Sequence, residues 1–183
     1  MVHRAGTNGA DRLFGIPNST STDYLYGYGG DDYLNGYQGN DTINGGSGDD
    51  TIRGGTGMDR LTGGSGYDEF RFSPGDSGPS YAQADIITDF DRTYDVISFD
   101  NIYGSANTYV ERSFQSDGTY SGAYNEALAM AQRDIGHGVF TAFYTDGQDG
   151  YLFADNNLDG RVDTGIELRG LDSLADFSWR DLV

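Results

Sequence analysis

The chain has 183 residues, with 29 acidic side chains against 11 basic ones, a formal net charge of -18, and no cysteine. Such a balance repels nucleic acid and anionic membranes and attracts cations, and the missing thiols exclude disulfides and every thiolate metal site. No stretch approaches the roughly 18 apolar residues of a membrane span, so membrane insertion is not expected. The opening Met1-Val2-His3-Arg4 runs into Gly6 and Asn8 with no apolar export core, so any export has to use another route.

From Gly6 the sequence falls into nines: GTNGADRLF, NSTSTDYLY, GYGGDDYLN, GYQGNDTIN, GGSGDDTIR, GGTGMDRLT and GGSGYDEFR. One insertion, Gly15-Ile16-Pro17, interrupts the period, and the second nine, from Asn18 to Tyr26, has no glycine. Position six is always aspartate: Asp11, Asp23, Asp32, Asp41, Asp50, Asp59 and Asp68. Position eight is always apolar: Leu13, Leu25, Leu34, Ile43, Ile52, Leu61 and Phe70. Seventeen of the 29 glycines precede residue 72, which divides the chain into a repeat array, residues 1–71, and a second part, residues 72–183.

The apolar residue stands between mostly polar neighbours, the period-two signature of a three-residue strand that sends one side chain into a core. The glycine-rich half of each nine is then the turn. Glycines at positions one, two and four allow positive φ and leave carbonyls bare, so that those oxygens can face a hard cation. The aspartate completes an oxygen cage, and calcium is the cation expected.

Over residues 6–71 the pattern resembles the RTX (repeat-in-toxin) nonapeptide G-G-x-G-x-D-x-U-x, where U is a large apolar residue. The resemblance implies a parallel β-roll with two nonapeptides per turn and several Ca2+ ions held between the loops of repeats n and n+2. Asp32 would share an ion with Asp50, Asp41 with Asp59, and Asp50 with Asp68, with Asp11 and Asp23 holding the matching place in the first two repeats. Backbone carbonyls from positions one and three of one loop would meet those from positions two and four of the next. That makes Gly27, Gly29, Gly36, Gly45, Gly46, Gly48, Gly54, Gly55, Gly57, Gly63, Gly64 and Gly66 candidate ligands.

Parallel neighbours lie about 4.8 Å apart, so Asp32, Asp50 and Asp68 would form a column. Adjacent charges there repel by roughly 1 kcal/mol in water and by several at lower effective dielectric. One apolar side chain per nine cannot offset both that repulsion and an ordering entropy of about 1 to 2 kcal/mol per residue. Without metal the roll is expected to be largely unfolded.

In the second part, Asp85–Phe90 and Asp95–Phe99 read as a β hairpin joined by Asp91–Tyr94. The stretch GYDEFRFSPGDS followed by DIITDFDRTYDVISF resembles the segment that caps the roll in serralysin-like proteases and in the repeat modules of mannuronan epimerases. That likeness implies that Asp85 and Asp89 help close the last calcium site. Tyr124, Leu128, Ala131 and Ile135 recur at helical spacing in one short amphipathic helix that stops at Gly136. Val139–Tyr144, Tyr151–Ala154 and Ile166–Arg169 read as an antiparallel meander lying against the roll. The turn Asp155-Asn156-Asn157-Leu158-Asp159-Gly160-Arg161-Val162-Asp163 spaces Asp155, Asn157, Asp159 and Asp163 as in an EF-hand loop, an extra metal site in outline. The carboxylate expected at its twelfth place is absent, Ile166 standing there. The end, Asp181-Leu182-Val183, resembles the uncleaved signal of proteins exported by type I secretion.

No catalytic residue emerges. There is no H-E-x-x-H helix, His3 and His137 have no second metal ligand at a usable spacing, and Gly75-Asp76-Ser77-Gly78-Pro79 reads as a loop. The expectation is an all-β fold, a parallel β-roll of RTX nonapeptides with a C-terminal antiparallel β cap and one short helix. The expected function is that of a non-catalytic bacterial module, secreted and extracellular. It would fold on Ca2+ and serve the secretion and stabilisation of an exported protein, with the type I machinery as partner. The parent would be a hydrolase, lyase or epimerase. An alternative is an accessory module that holds an alginate-like extracellular polysaccharide, with Arg53 and Arg71 stacked on one sheet as weak ligands; a third is a calcium-rigidified spacer whose tyrosines make contacts.

Overall fold

Each nine bends, in all but the second through its glycines, and then runs straight for a few residues, and the straight parts stack at an offset of two repeats. The computed structural model describes residues 1–100, 109–115, 119–135, 141–171, 173, 177 and 179–182. Strands β1 (His3–Ala5), β3 (Tyr24–Gly29), β5 (Thr42–Ser47) and β7 (Arg60–Ser65) lie on one side. Strands β2 (Arg12–Phe14), β4 (Tyr33–Gln38), β6 (Thr51–Thr56) and β8 (Glu69–Phe72) lie on the other, all neighbours parallel. The expected β-roll is thus present, with β1 added ahead of the first repeat.

The middle strands run to six residues rather than three because the stacked coils also pair through positions two and three, as in Tyr28↔Gly46 and Gly29↔Ser47. The register skips position one, at Gly27, Gly36 and Gly45, where the backbone turns away from the ladder. The residues at position eight fill the space between the sheets: Leu25, Leu34, Ile43, Ile52, Leu61 and Phe70 are fully buried in one cluster.

The hairpin expected at 85–99 does not form. Strand β9 (Asp85–Ile87) pairs parallel with β7, and β10 (Val96–Phe99) pairs parallel with β8, on opposite sheets. The physical reason is legible in both segments: Asp85-Ile86-Ile87 and Asp95-Val96-Ile97 repeat the aspartate-x-apolar half of the nonapeptide. Ile87 and Ile97 therefore enter the same core as Ile52. The parallel sheets run on past the array's last glycine to Phe99.

Strands β12 (Thr141–Thr145), β13 (Asp149–Ala154) and β14 (Thr164–Arg169) form the antiparallel meander. It does not lie against the roll as a separate layer: β14 pairs parallel with β9, so the meander prolongs the first sheet, with β11 (Tyr109–Ser113) at its far edge. The expected strand start at Val139, the helix stop at Gly136, and His137 lie outside the described residues. Phe143, Leu152, Ile166 and Leu168 join the core of the roll, while Ala142, Tyr144, Tyr151 and Phe153 face helix α1 (Tyr120–Ile135) through Ala123, Tyr124, Ala127 and Ala131. Among the described residues no helix is long and apolar enough to cross a membrane.

If β10 is a working part of the roll, Ile97→Ala costs as much as Ile52→Ala, about 2–5 kcal/mol each. Urea unfolding in calcium measures both; a hairpin lying off the core would lose far less.

Candidate metal centre

The position-six aspartates stand at the entry to each strand, so the two-repeat stacking brings them into two columns. In each column the backbone N–H of one aspartate donates to Oδ1 of the aspartate one coil on. The first column runs Asp11, Asp32, Asp50, Asp68 and Asp95 at 2.7, 2.8, 3.0 and 3.1 Å. The second runs Asp23, Asp41, Asp59 and Asp85 at 2.7, 2.7 and 2.8 Å. The pairings Asp32 with Asp50, Asp41 with Asp59, and Asp50 with Asp68 are therefore all brought together.

The other oxygen of these carboxylates is the decisive one. Oδ2 of Asp32, Asp41, Asp50, Asp59, Asp68 and Asp85 is buried and accepts no hydrogen bond. A buried acceptor without a partner costs about 1–3 kcal/mol, and more when charged. Those of Asp32, Asp41, Asp50, Asp59 and Asp68 each point at the position-one glycine of their own repeat. A Cβ added at Gly27, Gly36 or Gly45 would collide with Oδ2 of Asp32, Asp41 or Asp50. It would also collide with the carbonyl oxygen of Gly45, Gly54 or Gly63 one coil on. Carboxylate and carbonyl oxygens thus converge where the strand register is skipped. Hard oxygens from flexible carbonyls and carboxylates are the donor set of calcium, and the residues present fit that ion. Among the described residues no three Asp, Glu or His side chains meet to hold a metal unaided, so the carbonyls are essential to any cage here.

Residues 19–43 and 35–70 match the family model described as RTX calcium-binding nonapeptide repeat (4 copies). These residues are RTX nonapeptide repeats. No curated protein matches the chain. Two solved structures are similar over nearly its whole length, both subunits of the Azotobacter vinelandii mannuronan C5-epimerase. The AlgE6R3 subunit is 26% identical, with 97% of this chain and 80% of that one covered and a TM-score of 0.42. The AlgE6R2 subunit is 27% identical, with 98% and 90% covered and a TM-score of 0.40.

The ends of the RTX array differ from its middle. Asp11 turns its Oδ2 to the N–H and hydroxyl of Thr7, at 2.6 and 2.9 Å. Asp23 takes the N–H of Ile16 at 2.8 Å and that of Val2 at 2.6 Å. Both stand in their columns, but protein donors already satisfy them. Asp85 continues the second column, whereas Asp89 accepts the N–H groups of Gly63 and Gly64 at 3.0 and 2.9 Å. Asp95, not foreseen, ends the first column. Gly30 and Gly39 were also missed: they take position four with φ of 92° and 130°, as Gly48, Gly57 and Gly66 do at 119°, 138° and 136°.

Outside the RTX array the EF-hand-like turn is closed by its own donors. Asp155 accepts the N–H groups of Asp159 and Gly160, and Asp163 those of Asn156 and Asn157. Arg53 pairs with Asp76 at 2.9 Å, and Arg71 with Glu69 and Asp100 at 3.6 and 3.9 Å. Arg53 shares a row with Asn35 and Phe14, while Arg71 lies opposite Ser98.

With only protein around them, the column carboxyls from Asp32 and Asp41 onward are poor anions. Burial, reinforced by the neighbouring carboxylate and opposed by the N–H bond, pushes Asp41, Asp50, Asp68 and Asp95 up to about 6 and Asp59 to about 8. Burial and then the charge of Asp59 raise Asp85 well above the ordinary range. A carboxyl whose folded pKa exceeds its unfolded value of 3.8 favours the fold when protonated, and that stability is lost as pH rises through the folded pKa. In chelator, the β signal in circular dichroism should therefore be greater at pH 5 than at pH 8. Saturating calcium should reverse the order. Asp59→Asn should stabilise the chain in chelator and weaken it in calcium, measured as urea midpoints.

Proposed function

We propose that this chain is a calcium-driven folding module of an exported protein. The observation that carries the reading is the set of six buried, partnerless carboxylate oxygens repeated in register along two columns. A fold with such a set is penalised until a cation joins it, so binding free energy becomes folding free energy. Extracellular calcium modules bind at about 10⁻⁴ to 10⁻³ M, far above free cytosolic calcium. One chain then stays unfolded inside the cell, in a form that the type I secretion machinery can thread, and folds once secreted.

In this reading the module is not catalytic; the reaction belongs to the domain it accompanies. The columns run on to Asp85 and Asp95, so calcium would lock β9 and β10 together with the repeats and give the exported protein a rigid module. Capture of an alginate-like polyanion is the weaker reading, because the net charge is -18 and both Arg53 and Arg71 are engaged by carboxylates.

Titrating the calcium-stripped chain should convert a coil spectrum to a β spectrum, with a midpoint near 10⁻⁴ to 10⁻³ M calcium. Magnesium should not replace it, since it dehydrates reluctantly and demands a tighter octahedral site. A β spectrum that ignores both calcium and chelator at pH 7.5 would overturn the reading.

A further inference from the structure

Several departures from the nonapeptide meet at one hollow on the five-stranded side. The insertion Gly15-Ile16-Pro17 brings Pro17 and Asn18 to its rim. Tyr37 takes position two, where the next three repeats have Gly46, Gly55 and Gly64. Arg53 leaves β6 to clamp Asp76, which comes from beyond the RTX array. The hollow has a volume of about 350 Å³ and is lined by Asn18, Asn35, Tyr37, Gln38, Arg53 and Asp76. That is within the roughly 300–1,000 Å³ of ligand sites.

One of these residues is held at a cost. Tyr37 has φ of 74°, in the left-handed region that a glycine enters freely and a bulky side chain does not, whereas Asn18, at 59°, is of a residue type that adopts it readily. Tyr28, at 73°, is the other such residue of the array; it lies on the opposite sheet and is exposed. The roll does not require a side chain at position two, since three successive repeats form without one. Strain of this kind gathers at functional sites. The Tyr37 ring is also braced, stacked on Phe14 at 6.1 Å and 21°, with Phe14 in turn 5.9 Å from Tyr33.

The chemistry of the lining selects the ligand. Asn18, Asn35 and Gln38 bring both donors and acceptors, and Tyr37 adds an aromatic surface with a hydroxyl. Arg53 and Asp76 face each other at 2.9 and 3.3 Å, so the pair is polar but neutral as a unit. A neutral, hydroxyl-rich ring fits such a lining, and the charge of -18 works against an anionic one. We propose that this hollow binds a neutral sugar residue of a glycan. The proposal needs a folded roll but no part of the secretion reading.

The test is an amide chemical-shift titration of the calcium-loaded chain with cellotriose, maltotriose and chitotriose, and with trigalacturonate as the anionic comparison. Saturable shifts at Asn18, Tyr37, Gln38 and Arg53 are expected with at least one neutral trisaccharide at about millimolar concentration. Tyr37→Gly, which restores the commoner residue of the repeat, should weaken that binding about tenfold or more. In saturating calcium without sugar, its circular dichroism should keep the β spectrum of the parent chain, which shows that the roll is still formed. The proposal is overturned by no shifts with any neutral sugar, by shifts with trigalacturonate alone, or by shifts that Tyr37→Gly leaves unchanged. The sugar-free calcium titration fails or succeeds independently, so the two readings are separable.

Discussion

The structure depends on one repeated contact, the backbone N–H of each position-six aspartate donating to Oδ1 of its counterpart one coil on. It sets the spacing of the coils and, by using one carboxylate oxygen, leaves the other turned inward. Stacking of like charges is ordinarily unfavourable, and here it is made tolerable by N–H donors on one side, while the oxygens on the other side are left in an arrangement that fits a cation. The inward oxygens, the bare carbonyls at position one and the raised carboxyl pKa values are three consequences of the same arrangement.

The roll is joined to the cap by sheet continuity, through β9 and β14, and by a small polar relay. The Ser77 hydroxyl donates to the carbonyl of Gly165 at 2.6 Å and accepts the N–H of Asp85 at 2.7 Å. Ser77 also bridges to Gly57, in the position-four row of the second column. The Tyr124 hydroxyl lies over Gly165, buried and without a partner, where any Cβ would collide with it. The last member of the second column is thus tied to helix and meander alike, whereas the first column ends at β10, the edge of its sheet.

The repeat array was legible because its signals are local and periodic. Aspartate at position six and an apolar residue at position eight, in strict phase, define both the column and the core. The second part was less so. The helix and the meander follow from apolar spacing, but the segment 85–99 has two short β-favouring runs and a polar link, the same local signature as a hairpin. Its true partners, β7 and β8, lie more than twenty residues upstream. Gly75–Pro79 reads as a loop and is one, yet it places Asp76 on Arg53 and Ser77 between roll and cap.

The sequence by itself determined the period, the two faces of each nonapeptide, the donor set for calcium and the excess charge that such an ion would offset. Those properties belong to a residue and its immediate neighbours. Only the tertiary structure decided which carboxylates are left without a partner. Asp11 and Asp23 find donors in Thr7, Ile16 and Val2, while Asp32 through Asp85 have none for their inward oxygens, although all occupy the same place in the motif or its echo. It also decided that Asp95 ends the first column. Burial and hydrogen-bond satisfaction depend on what the neighbouring coil presents, and that is a property of the stack rather than of the repeat.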